Sequence, residues 1–123
     1  MRFMTLVRGP ETGALPPKAL MDAIDTLAAD AGPALVEMGG LAPTGAGALV
    51  RIRKGALTVS DGPFAEAREV IGGYAVLDVP SREAAVAWTE RFMQLHLDHW
   101  PEWEGETELR QVWGAEDFAP PVA

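Results

Sequence analysis

Cysteine is absent from the sequence, and histidine occurs only twice. The lack of cysteine excludes disulfide bonds, thiolate catalysis and zinc sites with sulfur ligands. No apolar run approaches the roughly 20 residues that a membrane-spanning helix requires, so we expect no membrane association. Basic residues are also scarce, with 10 Lys and Arg against 18 Asp and Glu, and a net charge of −8. Because an acidic chain repels phosphate backbones, direct nucleic-acid binding is not expected.

The 123 residues, 48% of them hydrophobic, can form one globular domain that covers residues 1–123. The apolar N-terminal segment is too short for the hydrophobic region of a secretion signal, and Arg8 interrupts it. We therefore expect a cytoplasmic protein.

Apolar periodicity predicts strands over residues 3–7, 34–38, 49–53, 56–60, 70–79 and 106–113, and helices over 18–31 and from Ser81 onward. Ser81 is a suitable N-cap for the second helix, and residues 96–105 are expected to form an aromatic and acidic loop. The adjacent Gly72 and Gly73 suggest a bulge or a close backbone approach within their strand.

This order of elements is a ferredoxin-like α+β fold, the βαββαβ plan, with one extra hairpin. Two helices can cover only one face of such a sheet, while several strands carry apolar residues on both faces. A symmetric homodimer with the two uncovered sheet faces packed together is the simplest solution.

The most unusual stretch of the sequence is the turn of residues 60–69, followed by Gly72, Gly73 and Tyr74. Gly62 and Pro63 constrain the backbone to a conformation that suits neither a strand nor a helix. A rigid turn that carries Asp61, Phe64 and Glu66 is a plausible place for a functional site.

The run Asp61-Gly62-Pro63-Phe64-x-Glu66-x-Arg68-Glu69 with Gly72-Gly73-Tyr74 resembles the signature of the YCII-related, or DGPF, domain family. The C-terminal stretch from His96 to Glu106, with its paired histidines and tryptophans, is similar to one branch of that family. The resemblance implies a ferredoxin-like α+β domain that dimerises into a shared α+β barrel. Family members commonly occur beside sigma factors, which implies a role linked to transcription, but the biochemical role of the family is mostly unassigned.

Two interpretations of the signature acids remain open. Asp61 could be a general base or a hydrogen-bond acceptor in a cleft, or it could bond to the backbone of its own turn. Glu66 could line the same cleft or form an ion pair with Arg68 or Arg51. Some relatives are described as having a His-Asp pair with the histidine on the first helix. Residues 18–31 contain no histidine here, so acid–base chemistry would have to use His96 or His99.

His96 and His99 are three residues apart with Asp98 between them. On a continuous helix the two imidazoles could share a face and bind a divalent metal with a carboxylate. The pair is also typical of a polar helix end, where histidine interacts favourably with the helix dipole. No third ligand is evident, so we expect no metal site and no cofactor.

The sequence therefore favours a small-molecule site in a homodimer. We expect the catalytic residues to be Asp61, His96 and His99, with a pocket lined by Gly62, Pro63, Phe64, Glu66, Tyr74, Trp100 and Trp103. The alternatives are a regulatory or interaction protein without catalysis and a metal-dependent hydrolase or lyase that uses both histidines.

Overall fold

A computed structural model of the protein describes residues 1–64 and 69–118. Its six strands are β1 (Arg2–Gly9), β2 (Leu35–Gly40), β3 (Ala48–Arg53), β4 (Ala56–Asp61), β5 (Val70–Asp78) and β6 (Glu106–Gln111). The two α-helices are α1 (Lys18–Ala31) and α2 (Arg82–His99), and short 3₁₀ turns occupy Gly32–Ala34, Thr44–Ala46 and Ala115–Phe118. Glu66 and Arg68 of the signature lie outside the described residues.

Four of the strands form an antiparallel sheet in the order β2-β5-β1-β6, while β3 and β4 form a separate two-stranded sheet. Without the hairpin, the chain follows β1-α1-β2-β5-α2-β6. This order and pairing confirm the α+β, ferredoxin-like fold expected from the sequence.

The helices pack on one face of the four-stranded sheet. The core there contains Phe3, Leu77, Val79 and Ala85, with Trp88 among the partly buried residues around it. Leu20 and Ile24 are buried on the apolar stripe of α1, whereas its aspartates are exposed. Ser81 is the N-cap of α2, as the sequence predicted, and its side chain accepts a hydrogen bond from the Ala84 amide at 3.1 Å.

The opposite face of this sheet carries a second apolar set. Side chains alternate between the two faces of a strand, so residues next to Phe3 and Leu77 project away from the helices. Met4, Leu6, Tyr74 and Val76 form this open sheet face, and each remains partly exposed. No helix of the described chain covers it, in agreement with the expectation that two helices leave one face uncovered.

Three boundaries differ from the sequence analysis. β2 continues through Gly39 and Gly40, which pair with Tyr74 and Gly73 of β5 rather than belonging to a loop. α2 continues through both histidines to His99, and β6 ends at Gln111.

The predicted irregularity at the paired glycines is confirmed. Val7 pairs with Gly73 and Arg8 with Ile71, so Gly72 is the additional residue of a bulge in β5. Neither helix in the described part of the chain is long and apolar enough to cross a bilayer.

Candidate functional site

The signature turn is held against the loop between β2 and β3. The Gly62 amide donates a hydrogen bond to the Gly47 carbonyl at 2.9 Å, and the Phe64 amide lies 3.5 Å from Thr44 Oγ1. The Gly62–Pro63 peptide bond is cis. A Cβ atom at Gly62 would overlap the Thr44 carbonyl oxygen, so the loop approaches the turn as closely as only glycine permits.

Glu11, in the loop after β1, holds Thr44 in place. One carboxylate oxygen accepts a hydrogen bond from the Thr44 amide at 3.0 Å and the other accepts one from Thr44 Oγ1 at 2.7 Å. These two bonds lower the pKa of the Glu11 carboxyl group, because they stabilise its charged form. Three distant segments of the chain therefore meet at Thr44.

A groove of about 490 Å³ lies where these segments meet. Its walls are residues 41–44 and 46–48, Phe64 of the signature turn, and residues 69–71 at the start of β5. We call it the signature groove. Most of these residues are apolar, and the volume falls within the range typical of small-molecule sites.

A second depression of about 460 Å³ adjoins the first and is lined by Pro10, Glu69, Glu104, Gly105 and Glu106. Glu69 lines both depressions, so its carboxylate lies at the boundary between the apolar signature groove and this second, acidic depression. The described lining of the combined surface contains no basic side chain.

His96 belongs to an aromatic cluster at the C-terminal end of α2. Its ring is 4.7 Å from that of Phe92 and 4.6 Å from that of Trp103, which lies 6.2 Å from the Trp100 ring. His96 Nδ1 is 3.1 Å from the Phe92 carbonyl oxygen, and because that oxygen only accepts, Nδ1 carries the proton. Burial lowers the pKa of His96, while this hydrogen bond acts in the opposite direction.

Trp103 packs against two glycines at the ends of neighbouring strands. A Cβ atom at Gly9 would lie 3.3 Å from the indole ring, and one at Gly105 would overlap it. Since Gly105 also lines the acidic depression, the aromatic cluster supports one wall of that surface.

The predicted site residues do not converge on one place. Phe64 lines the signature groove, and Gly62 and Pro63 belong to the turn that presents it. His96, Trp100 and Trp103 cluster together, while His99 is exposed on α2.

Tyr74 lies on the open sheet face, where its hydroxyl donates a hydrogen bond to Glu37 at 2.9 Å. This hydrogen bond to Glu37 raises the pKa of Tyr74, and desolvation and the negative charge of the carboxylate act in the same direction.

Asp61 is exposed at the end of β4, where it pairs with Ala48, and its carboxylate has no hydrogen-bond partner among residues 1–64 and 69–118. Neither it nor the histidines line either depression. Within the same residues, no group of three or more histidines and carboxylates is arranged to hold a metal ion.

Comparison with models of known protein families identifies the family of this chain. A family model described as the YCII-related domain matches residues 1–102, most of the chain. The chain belongs to the YCII-related domain family. No curated protein matches it. The matched range contains the whole signature turn and the signature groove of this YCII-related domain, together with both histidines and Trp100.

Of the described residues that line the YCII-related domain's groove, only Phe64 was predicted as a site residue, and Glu11, which holds Thr44 in place, was not predicted either. Glu11 and Thr44 are common residues in irregular segments, and only the fold brings them within hydrogen-bond distance. Glu69 is part of the signature but was interpreted as a solvated charge. Only the structure shows that Glu69 lines the groove, together with residues 41–44 and 46–48 of the loop between β2 and β3 and the start of β3, and with Phe64.

Proposed function

We propose that this YCII-related domain binds a small, largely apolar molecule in the signature groove and acts as a homodimer. The observation that carries the proposal is the groove itself, an apolar concavity built on the family signature. The Gly62 amide, which donates to Gly47, and the Glu11 carboxylate, which accepts from Thr44, hold its walls in place. Such concavities with few polar groups are typical ligand sites.

The chemistry of the lining restricts the ligand class. Phe64 offers an aromatic surface, and the Glu69 carboxylate accepts hydrogen bonds at the acidic end. The described carboxylates Glu69, Glu104 and Glu106 repel an anion. A neutral or amine-bearing apolar compound therefore suits the described lining best.

The neutral dye N-phenyl-1-naphthylamine tests this proposal. We expect fluorescence titration to detect saturable binding, and Phe64→Ala to weaken it about 10-fold because the aromatic contact is lost. Phe118→Ala is the matched control, since Phe118 is 72% exposed and does not line the groove. Equal binding by both variants would show that the dye reports exposed apolar surface and would contradict the proposal.

Acid–base catalysis by Asp61 with His96 or His99 is a further proposal that goes beyond binding. It is supported by the exposed, hydrogen-bond-accessible carboxylate at the end of β4, beside the signature turn. Asp61→Asn should abolish turnover of a bound carbonyl compound without unfolding the domain, as followed by product analysis and circular dichroism. Unfolding by this isosteric change would instead assign Asp61 a structural role in the turn.

The homodimer follows from the open sheet face, which a second copy would bury. A regulatory role through another protein is the alternative, and the exposed apolar surface of the hairpin β3–β4 is the observation that favours it. Sedimentation of the purified chain over a range of concentrations separates the two, because only the homodimer forms without an added protein.

A further inference from the structure

The hairpin β3–β4 presents an apolar face that nothing in the described chain covers. Val50 pairs with Val59 and Ile52 with Leu57, so these four side chains project from the same side of the two-stranded sheet. Their exposed fractions are 64%, 67%, 77% and 69%. We call residues 48–61 the hairpin arm.

An isolated two-stranded hairpin is marginally stable in water and normally packs against another layer. The hairpin arm is a sheet of its own and is not hydrogen-bonded to the four-stranded sheet. Its apolar face therefore requires a surface from outside the described chain.

The charge of the arm favours a second copy of this chain as that surface. Arg51, Arg53 and Lys54 lie within four consecutive residues, whereas the chain as a whole has a net charge of −8. Arg51 and Arg53 alternate with Val50 and Ile52 and so lie on the other side of the hairpin, but their charge still lowers the longer-range repulsion between two acidic copies.

The same chain also offers a matching apolar surface. The open sheet face of Met4, Leu6, Tyr74 and Val76 is uncovered. Glu37 and Glu108 lie beside it, but Glu108 is paired with Arg8 at 2.9 Å, and Arg110 lies opposite Met4 on the same face. At roughly 100 Å² for each exposed arm side chain, two arms present about 800 Å², and the two partly exposed sheet faces add roughly half as much. The sum of about 1,200 Å² lies at the lower end of the range for specific protein–protein interfaces.

We propose that the hairpin arm of each copy packs its apolar face on the open sheet face of the other copy. The proposal deepens the proposed homodimer by assigning the elements that meet. It also places the arm of one copy over Tyr74 of its partner.

Matched charge variants on the two sides of the arm test this assignment. Ile52→Lys places a charge on the apolar side, and Thr58→Lys places the same charge on the side of Arg51. Sedimentation velocity should show the dimer dissociation constant rising about 100-fold or more for Ile52→Lys, because a central apolar contact is lost. The dimer dissociation constant of Thr58→Lys should stay within about threefold of that of the unchanged protein. Both positions are exposed, so circular dichroism should show both variants folded.

Cross-linking identifies the surface that the arm contacts, and the absence of natural cysteines gives a clean background. We expect a mixture of Ile52→Cys copies and Val76→Cys copies to form a disulfide between the two variants under mild oxidation. The control mixture of Thr58→Cys copies and Val76→Cys copies should form little of this product.

The other outcomes are distinguishable. If Val76→Cys copies link only to each other and Ile52→Lys remains dimeric, the sheet faces pack directly, and the arm assignment is overturned while the homodimer stands. A monomer at all concentrations would overturn both proposals. Binding of such a monomer to vesicles of anionic phospholipid, lost in Ile52→Ser, would then identify a lipid surface as the occupant of the arm.

Discussion

Gly62 has room for no side chain larger than a hydrogen atom, because the Thr44 carbonyl oxygen occupies the position of a Cβ. Gly62→Ala must therefore displace the loop that forms one wall of the signature groove. We expect a loss of about 1–3 kcal/mol in the free energy of unfolding, measured by urea denaturation. Gly45→Ala in the same loop is the control, since a Cβ there meets open space. Equal stability of the two variants would mean that the loop shifts without cost.

His96 makes the stability of the fold depend on pH. Its imidazole is 8% exposed, and burial lowers its pKa below the ordinary value of about 6.5. As the pH falls through about 6.5, the unfolded chain takes up a proton before the folded chain does, so the stability supplied by neutral His96 declines. Above that pH the contribution is fully present.

Thermal unfolding between pH 5 and 8 measures this effect. In His96→Gln the unfolding temperature should decline less steeply below pH 6.5 than in the unchanged protein. His99→Gln, at an exposed position of α2, should show the same decline as the unchanged protein. A pH profile that is the same in His96→Gln and the unchanged protein would assign the decline to other groups.

At the level of single residues, the sequence indicated the turn that borders the signature groove, because its local conformation is unusual. Gly62, Pro63 and Phe64 belong to a turn whose composition is already diagnostic. The partners that secure the turn could not be predicted in the same way, because Glu11 and Thr44 are separated by 33 residues. Nothing in the local sequence around either residue indicates the contact.

Among the elements, α2 depends on its N-cap. The Ser81 side chain satisfies the Ala84 amide, which lacks a partner within the helix. Ser81→Ala should lower the free energy of unfolding by about 1 kcal/mol, whereas Ser81→Asp, which can accept the same hydrogen bond, should retain stability. Chemical denaturation of the three proteins makes the comparison, and equal losses for both variants would show that the cap contributes little.

Element boundaries were less predictable than element types, and the reasons differ. The last turn of α2 contains His96, a polar residue that is buried because Phe92 and Trp103 enclose its ring. Gly39 and Gly40 have the composition of a loop. They continue β2 because the Tyr74 ring lies 3.1 Å from where a Cβ of Gly39 would be, so glycine allows the close approach of the two strands.

For the whole molecule, the predicted order of helices and strands was sufficient to identify the ferredoxin-like plan, since few topologies accommodate that order. The position of the hairpin was not predictable. Its alternation of Val50 and Ile52 with polar residues is typical of a strand with one buried face. In the single chain, however, the side of Val50 and Ile52 is exposed, and Leu49 and Arg51 on the other side are partly buried. Periodicity indicates that a face is covered but does not identify what covers it.

The base of the hairpin is also a wall of the signature groove. Gly47 and Ala48 line the groove, Ala48 is the first residue of β3, and the Gly62 amide bonds to Gly47 at the other end of the hairpin. Packing of the arm against a second copy would restrict the backbone that shapes the groove. Ligand binding and self-association then become thermodynamically linked, and each must strengthen the other by the same factor.

This reciprocity predicts a ligand affinity that depends on protein concentration. The half-saturating concentration of N-phenyl-1-naphthylamine should fall about fivefold as the protein is raised through its dimer dissociation constant. Ile52→Lys, held monomeric over the same range, should show one constant value. An affinity that does not change with the concentration of the unchanged protein would mean that the groove is already rigid in the monomer. In the linked case, the amount of protein in the cell would itself set the ligand concentration at which the groove fills.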